Sequence, residues 1–588
     1  MPVDVLNIGS SGLQAAQIGI ATTGQNITNA STPGYSEEVA QQVQAPAQGY
    51  NFGYVGEGTQ VSTVVREYNQ LLSSQINSTQ SASSQFTAYS NLITPLDNLV
   101  ADPSAGLSPV LQSFFSSLQN LSSNPASVAS MQTAMSSAQT LVAQFQSLQT
   151  QVNQAGTTAN SQISSEVTSI NTDAQQLAAV NQAIQIGYAV ANNQPPNSLL
   201  DQRDQLINQL SQETQVTVVP EGNMDNIFIG NGQPLVMGSV ANSLTTVTSA
   251  SNPNNLEVAY TNNGVTQPIN EADLPGGTLG GTFAFRTNSL SPIQNSLGQI
   301  AIVLGSALNA QNAQGQTVQG TLGAALFTIA APVVNTNTAN TGTGQLTATL
   351  TTPGASGFGL TTTDPTQIAS AAPIATSIAT TNTGTGVMTP GSVSAGFVLA
   401  DATPSTTLTF AAGPPATISG FPAAAAVSTT VNGVTTAIAA PAGAVPYTAG
   451  MSISFNNMTF SLSGTPATGD TFTVGANTNA TGDNRNVLLM NALLTQNTMN
   501  NGTANFQGVY AQLVNAVGNT TSQVNTTGAT ETSLLTAATK QQQSISGVNL
   551  DQETVNLLQY QQVYEACGKL ISVASQNFST VLSLDGTS

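Results

Sequence analysis

Residues 550–578 read LDQETVNLLQYQQVYEACGKLISVASQNF, and their spacing decides how the chain folds at its ends. Leu550, Leu557, Tyr564, Ile571 and Phe578 recur every seven residues, and Tyr560, Cys567, Ala574 and Val581 form a second row three residues later. Two rows at this interval draw one stripe along a helix, and a stripe of that length needs a partner helix to cover it. Glu553 heads the second row, so the seam is expected to fray there. Cys567 lies inside the row, where it is expected as a small apolar filler and not as a reactive thiol.

The other end of the chain carries the matching pattern. Leu6, Leu13, Ile20 and Ile27 keep the seven-residue interval, with Gly9, Ala16, Thr23 and Ala30 three positions on. Large residues alternating with small ones let two helices approach closely. The stretch from Leu6 to Ala30 extends roughly 36 Å as a helix, and the C-terminal seam is long enough to lie along it. Seams at both extremes, flanking everything else, suit packing between molecules better than a shared globular core.

Between the ends, periodicity changes twice. An irregular stretch from Thr32 to Val61 suggests a hairpin, and polar helix is expected from Val64. Leu141 and Leu148, then Ile163, Ile170, Leu177 and Ile184, fall seven apart, as in the helices of a bundle. From Gln215 the period is two: Val216, Val218, Ile227 and Ile229 alternate with polar residues, and Asn231-Gly232 and Asn263-Gly264 are tight-turn signals. This β unit is expected to end near Arg286, before a helix over 289–312 carrying Ile293, Leu297, Ile300, Leu304 and Leu308. From Thr321 to Gly450 the charges are Asp364 and Asp401 alone. Its Thr, Ala, Gly and Pro are read as β-structure, with disorder as the competing reading, because 431–434, 452–456 and 469–474 have hairpin and turn character.

The expected architecture is therefore multidomain α+β: paired, coiled-coil-like terminal helices, an elongated helical bundle body and inserted, mainly-β outer domains. Its divisions are 1–63 with 541–588 for the terminal assembly domain, and 64–214, 287–320 and 481–540 for the body. The small β unit is 215–286, and the Thr/Ala/Gly-rich β domain is 321–480. A chain of 588 residues has room for about three to five such units.

Composition removes several classes of function. Charged residues make up 5% of the chain against 40% hydrophobic, so Ser, Thr, Asn and Gln must keep it soluble while a core still forms. Acidic residues number 26 and basic residues 6, a net charge of -20. The bases Arg66, Arg203, Arg286, Arg485, Lys540 and Lys569 are scattered, which argues against nucleic acid or an anionic membrane as a partner. A single cysteine excludes an internal disulfide. No cleavable signal pattern and no apolar run of ~18 residues is read, so the chain is expected to be cytoplasmic or to leave by a route that needs neither.

Tests for chemistry are negative. With no histidine, the Ser-His-Asp and Cys-His systems and His-based zinc sites are absent. The Gly568-Lys569-Leu570 match lacks the Ser or Thr of a phosphate loop, and Gly53, Gly56 and Gly58 lack the spacing of a dinucleotide fingerprint. A glycosidase would need two opposed carboxylates, and nothing places such a pair. Asp201 and Asp204 flank Arg203 near a helix start that Asn197 or Ser198 can cap, so a capped helix with a local ion pair is expected there. No catalytic, cofactor or metal residue is assigned.

The N-terminal helix also carries Ser10-Ser11-Gly12-Leu13-Gln14-Ala15-Ala16-Gln17, then Thr22-Thr23-Gly24-Gln25-Asn26-Ile27-Thr28-Asn29-Ala30-Ser31-Thr32-Pro33-Gly34-Tyr35-Ser36. This resembles the signature of bacterial flagellar rod, hook and hook-associated proteins. Physically, Pro33-Gly34 stops the helix in a turn, Asn26 and Asn29 share one face, and Tyr35 can cover the helix end. The family often has basic residues after this turn, where Glu37 and Glu38 stand here. Residues 546–551 and Asn556-Leu557-Leu558-Gln559-Tyr560-Gln561-Gln562-Val563-Tyr564 look like the matching family terminus. Leu199 to Leu206, 232–235, 280–286, 308–312 and 482–484 are similar to its hook-associated members.

The resemblance implies an extracellular structural subunit at the distal end of the hook, exported through the flagellar type III route without a cleavable signal. It implies contacts with further copies in a ring or tubular array, with hook protein, with the next junction protein (hook-associated protein 3), and with an export chaperone that masks the C-terminal seam. The expected assembly residues are Leu6, Leu13, Ile20, Ile27, Asn26, Asn29, Pro33, Gly34 and Tyr35 at one end. At the other they are Leu550, Leu557, Tyr560, Tyr564, Ile571 and Phe578. The rivals are a hook or rod subunit, and a secreted β-rich adhesin or hydrolase.

Overall fold

The computed structural model describes residues 2–50, 53–102, 106–250, 252–262, 265–329, 333–334, 346–347, 357–440 and 442–585. Its helices are α1 (Pro2–Asn29), α2 (Gln70–Ala101), α3 (Leu107–Ser123), α4 (Val128–Val190), α5 (Asn197–Glu213), α6 (Gly277–Phe285), α7 (Ser291–Ala313), α8 (Arg485–Ala492), α9 (Phe506–Ser546) and α10 (Leu550–Asp585). Strands occupy much of the chain between them, giving the multidomain α+β class with long helices at both ends. Two compact units result: Met1–Thr94 with Gly156–Asn288 and Thr520–Ser588, and Pro95–Ala155 with Ser289–Asn519.

In the first unit, the heptad row Ile163, Ile170, Leu177 and Ile184 is fully buried. It packs with Leu206, Ile207 and Leu210 of α5 and with strand residues Ile227, Ile229, Leu235, Val236 and Val258. The strands form one sheet from Val216–Glu221, Met224–Ile229, Gln233–Met237 and Val240–Ala241, and another from Ser243–Thr248, Leu256–Asn262 and Val265–Pro268. The Asn231-Gly232 turn joins two paired strands, with Gly232 at φ +103. Asn263-Gly264 lies outside the described residues.

Two boundaries differ from the sequence reading. Val64 belongs to the strand Thr59–Arg66, paired antiparallel with Glu38–Gln44. The β-branched run Val61, Thr63, Val64 and Val65 outweighs the polar helical pattern, and α2 starts only where the Asn69 side chain accepts from the Leu71 and Leu72 amides. The stretch before Arg286 is the helix α6, not strand. Its glycines allow close approach: a Cβ on Gly281 would sit 2.2 Å from the Gln85 carbonyl oxygen.

In the second unit, Leu111, Phe114, Phe115 and Leu118 of α3 and Leu141, Phe145 and Leu148 of α4 are buried. Phe114 meets Phe327 edge-on at 6.2 Å, Phe145 meets Phe358 at 5.0 Å, and Phe327 stacks on Phe358 at 5.3 Å. From Ile374 to Ala476 the Thr-rich region forms two sheets, whose apolar faces enclose Leu408, Phe410, Ile453, Phe460, Phe472 and Val474; earlier in the region Phe327–Ile329 pairs with Phe358–Leu360 and Val333–Val334 with Leu346–Thr347. Hairpins turn at Asn432-Gly433 and Asn456-Asn457, all at positive φ, as tight turns between such strands require. The outward face of one sheet aligns Thr435, Thr430, Ser452 and Ser461 across four strands. Rows of hydroxyls hydrate this face without charge. Residues 330–332, 335–345 and 348–356 of the expected β domain lie outside the described residues.

Candidate functional site

α1 and α10 lie antiparallel, and glycines bring them together. A Cβ on Gly9 would stand 2.7 Å from Ile571 Cγ1, one on Gly12 2.6 Å from Cys567 Sγ, and one on Gly19 2.6 Å from the Tyr560 ring. Ala15, Ala16, Thr23 and Asn26 are buried on this side of α1, as are Glu553 and Ala574 on α10. Gly12 and Gly19, which lie outside the expected small row, thus receive Cys567 and Tyr560 of the second row, while Gly9 of the small row receives Ile571 of the first. Leu13, Ile20, Ile27, Leu557, Tyr560, Cys567 and Ile571 are half-buried. The remaining large seam residues are uncovered: Leu6 is 38% exposed, Leu550 51%, Tyr564 38% and Phe578 47%. Glu553, expected at a frayed edge, is instead 2% exposed, because Asn549 caps the start of α10 one turn earlier.

The turn after α1 is held by one amide. Asn26, 1% exposed, donates through Nδ2 to the Glu38 carbonyl at 2.9 Å. Its Oδ1 accepts from the Tyr35 hydroxyl at 2.7 Å and from the Glu38 amide at 3.0 Å. The side chain therefore pairs with Glu38 as a strand neighbour would, and pins Tyr35 over the helix end. Asn29 makes only local, solvent-side contacts, donating to Gln25 O at 3.0 Å. Gly34 takes φ +80, the left-handed conformation in which a side chain would be strained, and Pro33 before it is exposed. Burial, then the nearby carboxylates of Glu38, Asp201, Glu553 and Glu37, push the Tyr35 phenol upward, so it remains a hydrogen-bond donor.

Beneath the turn lies a network of buried charges. Ser36 donates from its amide and hydroxyl to Asp201 at 3.1 and 2.9 Å. Arg66 reaches Asp201 at 2.8 Å and Asp204 at 2.7 Å, and its guanidinium lies 4.4 Å from the Tyr68 ring centre. Arg203 pairs with Asp225 at 2.9 Å, against 3.7 Å to its neighbour Asp204. This corrects the expected local ion pair: the partners of α5 come from the hairpin and the β-sheet. It also corrects the cap, since Pro196 precedes α5 without a side-chain cap, and Asn197 donates to Val64 O at 3.0 Å. Although burial opposes it, the Asp204 and Asp201 carboxylates hold the Arg66 guanidinium above its ordinary value. The chain end of α9 joins here too, where the Glu37 amide donates to Ser546 O at 2.8 Å.

These groups clamp five segments, α1, the hairpin, α5, the strand Met224–Ile229 and the α9 end, and the carboxylates of Asp201, Asp204 and Asp225 are each engaged by an arginine. The arrangement positions helices, and the Asp201 carboxylate that receives the Ser36 hydroxyl is itself paired with Arg66. Among the described residues no group of three His, Cys, Asp or Glu is arranged to hold a metal. Sequence reading placed Asn26, Pro33, Gly34 and Tyr35 at the turn, but not Ser36, Arg66, Asp201, Asp204 and Asp225 beneath it. The signal available was the rarity of arginine in a chain with 6 basic residues.

Comparison with known proteins gives matches along most of the chain. Residues 93–327 match the model of the flagellar hook-associated protein FlgK helical domain, and 373–476 that of the flagellar hook-associated protein 1 D3 domain. Residues 6–35 match the flagella basal body rod protein model, and 541–584 that of the flagellar basal body rod FlgEFG protein C-terminal region. Over 582 residues the chain is 33% identical to flagellar hook-associated protein 1 of Salmonella typhimurium, covering 99% of each. The corresponding Escherichia coli protein is 32% identical over 607 aligned positions, again 99% of each. The solved structure of the flagellar hook junction protein FlgK from Burkholderia pseudomallei superposes with a TM-score of 0.73 at 34% identity, covering 80% of this chain and 100% of that one.

Proposed function

The chain belongs to the flagellar hook-associated protein 1 family, a structural subunit of the hook–filament junction, and from that premise we propose that its terminal helix pair is the surface by which it joins the flagellum. The observation that carries this is the uncovered apolar surface of α10. Val555, Leu558, Val573, Val581 and Leu582 are each more than half exposed, as is Leu550, and Phe578 is 47% exposed. Apolar surface of that extent is an interaction site.

In this reading, residues 1–63 and 541–588 form the inner assembly domain, with Leu6, Leu13, Ile20 and Ile27 of α1 and Leu550, Leu557, Tyr564 and Phe578 of α10 meeting neighbouring subunits. Asn26, Asn29, Pro33, Gly34 and Tyr35 fix the direction in which the chain leaves α1. The body is 64–214, 287–320 and 481–540, and the β regions 215–286 and 321–480 face outward. Partners are further copies in a ring or tubular array, hook protein below and hook-associated protein 3 above. An export chaperone covers α10 during delivery through the flagellar export route. The role is structural, with no catalytic step. A hook or rod subunit would share the two terminal matches but not the helical and D3 domains.

The test is a strain whose chain lacks Leu550–Ser588. Incorporation at the hook tip is expected to cease, leaving hooks without filaments and flagellin in the medium, while the purified variant keeps the unfolding transition of its β domain. Normal filaments from that strain would sink the assignment.

A further inference from the structure

The β-rich segment of the second unit has its own apolar core, drawn from residues Ile374 to Val474. Two short connectors, 369–373 and 477–484, tie it to the helices of the same unit. Those connectors are joined by polar groups, and one ion pair sits at their centre. Arg485, the first residue of α8, donates through Nη2 to the Ile374 carbonyl at 2.6 Å and through Nη1 to the carbonyls of Gly391, at 3.3 Å, and Pro390. Its Nε and Nη2 also meet Asp483 at 3.0 and 2.7 Å. Asp483 in turn accepts from the Ala372 amide at 3.2 Å, from Asn477 Nδ2 at 2.8 Å and from the Arg485 amide at 3.0 Å. One carboxylate thereby touches both connectors, while one guanidinium reaches across to three carbonyls of the β domain.

The helical side of the joint is anchored separately. Asn486 donates from its amide to Ser370 O at 3.1 Å and from its side chain to Ala369 O at 2.6 Å, and Gln311 of α7 donates to Asn486 Oδ1 at 2.7 Å. The connectors thus have a fixed base, and Asp483 with Arg485 determines what they carry. We propose that the Asp483–Arg485 pair is a latch that fixes the direction of the β domain on its helical stem, distinct from the contacts that fold the domain. Three carbonyl acceptors and a carboxylate at different bearings suit a planar fork with five donors; a lysine ammonium cannot reach them together. Gly391 takes φ +67, turning its carbonyl into the latch, and a Cβ there would stand 3.0 Å from Ile374 Cδ1. Burial works against the Asp483 charge, yet Arg485 and the amide donors hold its carboxyl below the usual range, so the latch stays closed through mild acid.

The experiment uses the full chain with Arg485→Met, Arg485→Lys and Asp483→Asn. Solution X-ray scattering reports the spread of domain directions, a protease of broad specificity reports opening of 369–373 and 477–484, and calorimetry reports the β-domain transition. Arg485→Met is expected to speed connector cleavage by about tenfold or more and to broaden the scattering distribution, with the β-domain transition retained. Arg485→Lys should fall between it and the parent, and Asp483→Asn should loosen the same connectors. Unchanged cleavage and scattering in a folded Arg485→Met chain would overturn the latch. So would loss of the β-domain transition in both Arg485 variants, since the pair would then be part of the domain's folding.

Discussion

Replacing Asn26 by Leu preserves side-chain size and removes three hydrogen bonds, which makes it the cleanest probe of the turn after α1. The groups left behind are the Tyr35 hydroxyl and the amide and carbonyl of Glu38. An orphaned buried polar group costs about 1–3 kcal/mol. Tyr35 and Glu38 are only half-buried, so water recovers part of that cost at some of them. A loss of about 3 kcal/mol is expected, equivalent to about a hundredfold increase in local opening. Amide hydrogen exchange measures this directly: protection at Glu38, whose amide has Asn26 as its acceptor, should fall by about two orders of magnitude in the Leu variant. Asn29→Ala is the control, since its contacts lie on the solvent side, and it should change protection by less than about 0.5 kcal/mol. If the Leu variant keeps its Glu38 protection, or if Asn29→Ala lowers it equally, the amide is not what holds the turn.

Further tests reach other parts of the first unit. Gly19→Ala should destabilise the terminal pair by about 1–2 kcal/mol, because the Tyr560 ring must move, whereas Gly24→Ala, with open space around it, should gain about 0.5–1 kcal/mol of helix propensity; urea melts followed by circular dichroism distinguish them. Arg66→Met leaves Asp201 and Asp204 without their shared cation and should cost about 3–5 kcal/mol, seen as a lower midpoint in the same melts. Burial, with Asp173 and Glu166 nearby, pushes the Glu213 carboxyl up to about 8, so the folded state holds a proton that the unfolded chain releases. Stability from this group is present at low pH and declines as pH rises from about 4.5 to about 8. Glu213→Gln should flatten that decline by on the order of 1–2 kcal/mol after allowing for solvent screening, and an unchanged pH profile would refute the assignment.

What the sequence disclosed and what it withheld divide along a physical line. Ile163 to Ile184 is a local periodicity, and burial followed it because a helix fixes which residues share a face. Asn432-Gly433 and Gly34 were legible for a similar reason: left-handed backbone restricts the residue type on the spot. The clamp beneath the turn was not. Arg66 and Asp201 are 135 residues apart, and Asp201 looks from its neighbours like part of an exposed helix start. Only the path of the chain brings them together, and no local pattern encodes a path. The terminal pair shows a subtler limit. Heptad spacing marks one stripe on α10 but cannot say which of its residues meet α1; the glycines of α1 decide that, their missing side chains admitting Tyr560 and Cys567 of one row and Ile571 of the other.

The use of arginine has a consequence for how the folded chain meets proteases. Arg66, Arg203 and Arg286 have side chains no more than 10% exposed, and Arg485 lies in its ion pair. That leaves Lys540 and Lys569 as the exposed points for an enzyme that cuts after basic residues, and both lie within helices. In a chain of 588 residues, a trypsin-like activity in the surroundings finds almost nothing to cut while the clamps hold. Both lysines sit in the C-terminal helices, and α10, which carries Lys569, is the helix that further subunits would cover.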